Sequence, residues 1–342
     1  MVKNNEISIS PANWQKLNKS NTKDEIKQLI SDAIGENDLP MPMRKITKSD
    51  AKKSFKELQS FYHLGAMTRE DWYTRYDYKY PLTDVLFGCS TVGNKASDFY
   101  QQYNRWLCDS INAPSPYRSW TIEKFRLTLL NALWSLKMEE VNSKVLRSCI
   151  GLRKYIASQF RPSTAKAVYD YFGAVDVLDF SSGWGDRLCG FLASDAKSYV
   201  GIDPNERLFN NYTRMIDDFN VPNKKVEMFN CCAEKAMLTK RKFDLVFTSP
   251  PYFNIERYTQ EDNQSFKKYR KLGNWLNEFL FKAIDLSWDH LKTDGHLVLN
   301  ISDVYSNHTI NKICDPMNDY IKSFKGAEYV GCYGYQMRTS PN

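Results

Sequence analysis

The chain has 342 residues, of which 42% are hydrophobic and 14% aromatic, enough for a sizeable core in one or two domains. No apolar run reaches membrane-spanning length and the N-terminus lacks the apolar stretch of a secretory signal, so we expect a cytoplasmic protein without membrane association. The net charge is +7, and residues 1–150 carry 22 Lys and Arg against 17 Asp and Glu, which permits a polyanionic partner without requiring one. The eight cysteines form no Cys-X-X-Cys pair, which disfavours zinc and favours free thiols in a reducing cytosol.

The first predicted element is a helix in "TKDEIKQLISDAIGE", with Thr22 as its N-cap and Gly35 as its stop. Its apolar positions at helical spacing are Ile26, Leu29, Ile30 and Ile34. A second helix is predicted in "KSDAKKSFKELQSFY", and two more in residues 121–158. We therefore expect a mainly helical region before about residue 150.

Aromatic and basic residues are interleaved in residues 61–118, in "MTREDWYTRYDYKYPL" and "SDFYQQYNRWLCDSINAPSPYRSW". Rings for stacking and cations for phosphates are typical of a nucleic-acid surface. A helical domain whose large side chains form its own core explains the same composition, and does so slightly better for most of these rings. Both interpretations stay open on the sequence.

From about residue 160 the pattern changes to strands that alternate with helices. The predicted strands are "AVDVLDFS", "SYVGIDP", "KVEMFNC", "FDLVFTSPP", "GHLVLNISD" and "AEYVGCYGYQMR". This spacing predicts an α/β fold with a doubly wound, mostly parallel sheet. The predicted domains are a mainly helical, aromatic and basic one in residues 1–150 and an α/β one in residues 151–342.

In such a sheet the ligand lies beyond the carboxyl ends of the strands. The first strand ends in "DFSSGWGDR", where Gly183 and Gly185 let the backbone approach a ligand and a helix follows at once. The turn lacks the third glycine of the dinucleotide fingerprint and is weak evidence alone. Asp203 ends the second strand about 20 residues later, where a carboxylate accepts hydrogen bonds from the ribose of a nucleoside cofactor. Asp203 can also be the N-cap of the next helix, because Pro204 follows it.

The fourth strand ends in Ser249-Pro250-Pro251-Tyr252, and two prolines end a strand abruptly because neither donates to a ladder. Together with the Gly-rich turn and Asp203, this tetrapeptide resembles the S-adenosylmethionine-dependent amino-methyltransferases, which methylate N4 of cytosine or N6 of adenine, mostly in DNA. The resemblance covers about residues 155–342. It implies a Rossmann-like class I methyltransferase domain, S-adenosylmethionine as cofactor, DNA as partner, a flipped base, and a place in DNA methylation of the restriction–modification type.

The same resemblance implies the site residues. The catalytic ones are Ser249, Pro250, Pro251 and Tyr252. The cofactor-binding ones are Phe160, Pro162, Asp179, Ser181, Gly183, Trp184, Gly185, Asp203, Glu234 and Ser249, with Phe160 and Pro162 at the methionine end and Glu234 at the adenine. The candidates for contact with the target base are Tyr252, Glu256 and Tyr258. The basic cluster in residues 267–271 is a candidate for phosphate contacts or a solvated helix start, and no metal is required.

The chemistry of an exocyclic amine fits this tetrapeptide. The lone pair of such an amine is delocalised into the ring, so a site that accepts both N–H groups favours a pyramidal, nucleophilic nitrogen. The Ser249 hydroxyl and the Pro250 carbonyl suit that role, and the prolines orient the carbonyl in advance. Tyr252 can stack on a base turned out of its strand.

Other readings can be weighed against nitrogen methylation of DNA. Methylation of cytosine at carbon 5 needs a thiolate, and no cysteine follows the tetrapeptide. Ser249 leans towards N4-cytosine, but N6-adenine stays open. The alternatives are an RNA base methyltransferase and a catalytically silent subunit that binds nucleic acid.

Two features depart from the family. No long segment lies between the Gly-rich turn and the tetrapeptide or after the last strand, so we expect residues 1–150 to recognise the substrate. The family's seventh, antiparallel strand has no counterpart after "AEYVGCYGYQMR". We therefore expect that the chain lacks its last strand, or that another segment or a partner chain completes the sheet.

Overall fold

The structure is a computed structural model of the protein. It describes residues 1–62, 64–66, 79–88, 90–110, 113–153, 156–306 and 309–336, with the side chains of residues 153, 256 and 306 excepted. Most of the predicted aromatic stretch "MTREDWYTRYDYKYPL" lies outside the described residues.

Two compact units make up the chain. The first contains residues 1–45, 102–158 and 256–259, and the second contains residues 46–101, 159–255 and 260–342. This division differs from the predicted boundary at residue 150, because residues 46–101 fall in the unit that holds the large sheet.

The helices are given in chain order. They are α1 Pro11–Ser20, α2 Lys23–Glu36, α3 Lys48–Gln59, α4 Asn94–Trp106, α5 Pro116–Thr121, α6 Glu123–Leu130, α7 Ala132–Ser135, α8 Ser143–Arg153, α9 Pro162–Tyr171, α10 Asp186–Ala193, α11 Phe209–Phe219, α12 Ser265–Lys268, α13 Leu272–Trp275, α14 Phe281–Asp289 and α15 Cys314–Lys322. A π-helical turn at Leu276–Leu280 joins α13 to α14.

The strands follow the same order. They are β1 Val2–Lys3, β2 Glu6–Ile7, β3 Leu64–Ala66, β4 Leu82–Phe87, β5 Asp109–Ser110, β6 Asp176–Asp179, β7 Ser198–Asp203, β8 Lys225–Asn230, β9 Phe243–Thr248, β10 Glu256–Arg257, β11 Leu291–Leu299, β12 Val304–Ser306, β13 Thr309–Asn311 and β14 Cys332–Tyr335. No described helix is both long enough and apolar enough to span a membrane.

The first unit is mainly helical, with a core to which α2 contributes. Thr22 begins α2 in a capping box with Glu25, as the sequence predicts for the N-cap. The predicted stop at Gly35 is wrong, since α2 runs to Glu36. An added Cβ at Gly35 would lie 3.0 Å from the Arg126 guanidinium, so this glycine permits a close side-chain approach instead. Leu29 is also exposed, so the buried face of α2 is narrower than predicted.

The second unit contains a five-stranded sheet in the order β11-β9-β6-β7-β8, with every pair parallel. Chain order reverses beside β6, as in doubly wound sheets. The predicted doubly wound α/β fold, of the Rossmann-like type, is confirmed. All six residues of β7 are buried, as a strand covered on both faces requires.

The sixth predicted strand lies outside this sheet. It forms β14, which pairs in parallel with β4, and β4 pairs antiparallel with β3. The predicted inclusion of this strand with the other five is therefore wrong, and residues 82–87 supply the partner of β14. Sequence periodicity locates a strand but carries no information about a partner this distant in the chain.

The aromatic residues of α4 divide between two environments. Tyr100 and Trp106 are buried, as the core interpretation predicts, whereas Tyr103 is exposed. The aromatic residues of α4 therefore do not form a single exposed surface along this helix.

Candidate active site

The Gly-rich turn between β6 and α10 adopts the backbone that its glycines suggest. Gly183 and Gly185 have φ angles of 57° and 72°, which few other residues tolerate. An added Cβ at Gly183 would meet only the Ser181 carbonyl, at 3.8 Å, so space beside Gly183 is open. An added Cβ at Gly185 would press on the Tyr212 ring at 3.2 Å. The first glycine thus leaves room for a ligand, and the second serves packing.

Asp179 is wholly buried, and its carboxylate is occupied by the protein itself. It accepts from Arg187 Nε at 2.8 Å, Tyr199 Oη at 2.6 Å, Thr248 Oγ1 at 2.7 Å and the Ser181 amide at 3.2 Å. Burial disfavours the charge of Arg187, but Asp179 outweighs this and raises the pKa of the guanidinium. The Asp179 side chain therefore joins β6, β7 and β9 beneath the turn, which differs from a direct contact with cofactor.

Asp203 joins the ends of the first two strands of the sheet. Its Oδ2 accepts from the Gly183 amide at 2.8 Å and its Oδ1 from the Asn205 amide at 2.9 Å. The next helical turn is capped by Asn205, so the N-cap interpretation of Asp203 is wrong. Asp203 is 7% exposed, and burial raises the pKa of its carboxyl to about 7 despite these two amides.

These features fit an adenosine-containing cofactor. Each Asp203 oxygen has accepted one amide and keeps a lone pair for a ribose hydroxyl. The open space at Gly183 lies beside the same carboxylate, because the Gly183 amide donates to it. The turn and Asp203 are thus one structural feature, as their spacing in the sequence predicts.

Four further predicted cofactor residues surround the turn. Phe160 stacks on Tyr335 at 5.7 Å between ring centroids, and the Arg187 guanidinium lies 5.4 Å from its centroid. Pro162 is the first residue of α9 and is buried. Trp184 is also buried, and Ser181 is half-buried. The structure places all of them at the head of α9 or in the turn before α10.

Glu234 has partners that the sequence does not suggest. It ion-pairs with Lys268 and accepts from Tyr269 Oη at 2.8 Å, with its side chain 5% exposed. Burial opposes the charge of Lys268, and the bond to Glu234 outweighs it and raises the pKa of the ammonium. Glu234 therefore ties the turn after β8 to α12, and this competes with its predicted contact to adenine.

The Ser-Pro-Pro-Tyr tetrapeptide follows β9 and is tied to the end of β11. Ser249 Oγ and Tyr252 Oη donate to the Asn300 carbonyl at 3.1 and 3.2 Å. The Asn300 side-chain amide donates to the same two oxygens, at 3.0 and 2.8 Å. The Asn300 backbone amide donates to the Thr248 carbonyl at 2.9 Å, which extends the parallel pairing by one residue. We call Ser249, Tyr252 and Asn300 the hydroxyl clamp.

The prolines and the next residue hold this turn in an unusual conformation. Phe253 has a φ of 51°, which is rare for a bulky residue. Its ring is buried and packs edge-on to Trp275 at 6.1 Å, and its amide donates to the Pro251 carbonyl at 2.9 Å. Among the described residues, none donates a hydrogen bond to the Pro250 carbonyl, and Pro250 itself is buried.

The other two substrate candidates are grouped with the mainly helical unit. Glu256 and Tyr258 belong to the first unit, where β10 pairs with β5 and the Tyr258 carbonyl accepts from Cys108 Sγ at 3.4 Å. The Glu256 side chain is outside the described residues. In the basic cluster, Lys267 bonds to Asp262 at 3.2 Å and Lys268 is paired with Glu234, so these two cations are engaged within the protein.

Asn300 and Arg187 are the functional candidates that the sequence analysis missed. Asn300 follows the last residue of β11, and a polar residue at a carboxyl strand end is the signal that points to it. Arg187 stands at the second position of α10, eight residues after Asp179 in the chain. No sequence pattern links it to Asp179, because their contact depends on how the turn folds back.

A family model described as DNA methylase, of the N6 and N4 type, matches residues 243–331. The match begins with β9 and includes the tetrapeptide and Asn300. The resemblance to the DNA amino-methyltransferases is confirmed. For this protein the match supports methyl transfer as the reaction, carried by the α/β unit. No curated protein matches the sequence.

Several solved structures are similar to the chain at low identity. An rRNA methylase from Streptococcus thermophilus is 15% identical over 49% of this chain and 83% of its own, with a TM-score of 0.32. A tRNA methyltransferase from Aquifex aeolicus is 19% identical over 28% of this chain and 40% of its own, with a TM-score of 0.25. TrmN from Thermus thermophilus is 13% identical over 42% of this chain and 39% of its own, with a TM-score of 0.32. The chain spans less than half of the latter two, and at these scores the likenesses carry no argument about substrate.

Proposed function

We propose that the protein transfers a methyl group from S-adenosylmethionine to an exocyclic amino nitrogen of a DNA base, N4 of cytosine or N6 of adenine. The observation that carries the proposal is the hydroxyl clamp, in which Asn300 holds the hydroxyl of Ser249, the residue directly before Pro250. DNA is the proposed nucleic acid because the matching family model is described as DNA methylase.

The residues support a direct transfer. Bound S-adenosylmethionine supplies an electrophilic methyl group on its sulfonium. Ser249 Oγ and the Pro250 carbonyl accept the two N–H groups of the amine and so favour a pyramidal nitrogen with its lone pair directed outward. That lone pair would form the new N–C bond as the methyl–sulfur bond breaks, S-adenosylhomocysteine would leave, and one N–H proton would pass to water. Asp203 accepts the ribose hydroxyls and orients the cofactor. No nucleophilic side chain is needed, and the thiols of Cys231 and Cys232 are disfavoured as nucleophiles because burial raises the pKa of both.

Delivery of the base falls to other parts of the chain in this proposal. We assign substrate recognition to residues 1–150, in which the exposed rings of Tyr103 and Tyr117 can stack on bases. All described cysteines are free, which agrees with a reducing cytosol as the place of action.

The test is incubation with labelled S-adenosylmethionine and random-sequence DNA or RNA, followed by nucleoside analysis. Label in N4-methylcytosine or N6-methyladenine from DNA supports the proposal. Label in 5-methylcytosine, or in RNA alone, contradicts it, and cofactor binding without any transfer identifies a catalytically silent protein. Ser249→Ala should lower kcat about 100-fold with unchanged cofactor affinity, because an acceptor in the transition state is lost. The exposed Ser323→Ala, outside residues 1–150, is the matched control and should leave kcat unchanged.

A further inference from the structure

We propose that Asn300 is a positioning residue that makes Ser249 an obligate hydrogen-bond acceptor towards the substrate. The inference rests on the proposed function and adds a third strand end, that of β11, to the catalytic site. Its consequence is that the atom facing Ser249 must carry a hydrogen, so the site selects an amine over a carbonyl at the same ring position.

The backbone carbonyl of Asn300 fixes the direction in which two hydroxyl protons point. It is 3.1 Å from Ser249 Oγ and 3.2 Å from Tyr252 Oη, and a carbonyl can only accept. Both hydroxyls must therefore direct their protons to it. The 3.5 Å separation between the two hydroxyl oxygens is too long to compete as a strong bond.

The side-chain amide of Asn300 has one orientation that fits these contacts. One nitrogen lies 3.0 Å from Ser249 Oγ and 2.8 Å from Tyr252 Oη, and its two hydrogens serve the two oxygens. With the amide reversed, its oxygen would face both hydroxyls while their protons are committed to the carbonyl. The donating orientation is the one that satisfies all four contacts.

Asn300 occupies the proton and one of the two lone pairs of Ser249 Oγ. A hydroxyl has one proton and two acceptor lone pairs. The proton points to the Asn300 carbonyl and one lone pair accepts the Asn300 amide. The remaining position is a lone pair, which can accept N–H from an amine and would repel a carbonyl oxygen.

The hydroxyl clamp is held rigidly by the backbone of two strands. The backbone N–H of Asn300 continues the β11–β9 ladder by donating to the Thr248 carbonyl at 2.9 Å, and Ser249 follows Thr248 directly. Both halves of the clamp are therefore held by adjacent parallel strands. A site held in this way needs little reorganisation at the moment of reaction.

The experiment compares wild type with Asn300→Asp and Asn300→Ala. In the Asp variant a carboxylate faces two hydroxyl oxygens with no hydrogen to offer, so Ser249 loses its fixed orientation. We expect kcat to fall about 10- to 100-fold, and the KM for DNA and the cofactor affinity to change less than about threefold. Asn300→Ala keeps the backbone carbonyl, so its loss should be smaller, about tenfold or less. The exposed Asn210→Asp is the control for the added charge and should retain wild-type kcat.

A pH profile separates positioning from simple loss of structure. Protonation of the new carboxyl in Asn300→Asp restores a donor, so its kcat relative to wild type should rise as the pH falls, measured at saturating cofactor. In a Ser249→Ala background, Asn300→Asp should cost less than about threefold, since coupled residues are not additive.

The outcomes are distinguishable. Wild-type transfer together with undiminished kcat in Asn300→Asp overturns the role of Asn300 and leaves the proposed function standing. A loss without pH recovery, or of equal size in the Ser249→Ala background, also overturns the role. Absence of transfer by wild type to any nucleic acid overturns both proposals. If Asn300→Asp does not fold, the kcat of Asn300→Ala decides in the same way.

Discussion

The Gly-rich turn and the Ser-Pro-Pro-Tyr turn follow adjacent parallel strands, β6 and β9, yet they are stabilised by different interactions. The first lies above a buried ion pair between Asp179 and Arg187, with no charge left for solvent. The second is held by neutral hydrogen bonds between Asn300 and the hydroxyls of Ser249 and Tyr252. The Gly-rich turn is therefore supported by a buried charge pair, whereas the tetrapeptide is supported by neutral hydrogen bonds alone.

Breaking the ion pair should have the largest effect. Arg187→Met leaves the Asp179 carboxylate buried without its cation, so the free energy of unfolding should fall by about 3–5 kcal/mol. Urea denaturation measures the loss. Arg241→Met, which removes a more exposed pair with Glu227, is the control and should cost at most about 1 kcal/mol. Equal losses of unfolding free energy in the two variants would show that the buried Asp179–Arg187 pair contributes no more than an exposed pair.

Asp203→Asn should weaken cofactor binding about 100-fold, because charge-assisted bonds to the ribose are lost. In wild type, affinity should fall as the pH drops below about 7, since a proton then competes for the carboxylate that the ribose hydroxyls need. Calorimetric titration with S-adenosylmethionine across this range measures both effects.

Asp203 should affect folding stability and cofactor affinity with opposite pH dependences: its contribution to stability falls as the pH rises, whereas cofactor affinity rises. The folded-state pKa of Asp203 is raised from 3.8 to about 7, so the folded state binds this proton more tightly than the unfolded state does. The contribution to stability is present below about pH 4 and is lost as the pH rises through about 7. Asp203→Asn removes this titration but turns an NH2 group towards one of the two backbone amides, so the pH dependence is the test and not the absolute stability. Without cofactor, the stability of the variant relative to wild type should rise as the pH is raised from about 5 to about 8. A difference that does not change with pH would contradict the burial argument.

Tyr252→Phe should reduce kcat about tenfold, because the ring remains for stacking while one arm of the hydroxyl clamp is removed. Burial raises the pKa of the Tyr252 phenol, so the hydroxyl keeps its proton near neutrality and the wild-type contact is constant there. Steady-state kinetics at saturating cofactor gives the value. Tyr252→Ala should lose more, and equal losses in the two variants would show that only the hydroxyl matters.

Glu234→Gln should have the smallest effect. Loss of the pair with Lys268 should cost about 1 kcal/mol of stability, and cofactor affinity should change less than about threefold, since the side chain is already engaged. Lys235→Gln, an exposed neighbour, is the control. A tenfold loss of cofactor affinity without loss of stability would restore the predicted contact to adenine.

Prediction from the sequence succeeded where the signal is local. Alternating strands and helices identify the sheet, and the Gly-rich turn and Asp203 meet as expected through the Gly183 amide. It failed at Gly35, where the helix continues to Glu36 and the glycine leaves room for the Arg126 guanidinium. Nothing near Asp179 in the chain indicates that Tyr199 and Thr248 are its partners, and its contact with the cofactor stays a prediction.

By itself, the sequence determined the reaction class that we propose, because the tetrapeptide, the acidic strand end and the glycines are short motifs whose chemistry is carried by neighbouring residues. Tertiary structure alone decided which of these groups face inward and which partner holds each hydroxyl. Asn300 reaches Ser249 from 51 positions away, and β4 pairs with β14 across an even longer separation. Such contacts depend on the register of parallel strands, which a periodic pattern of apolar residues does not encode.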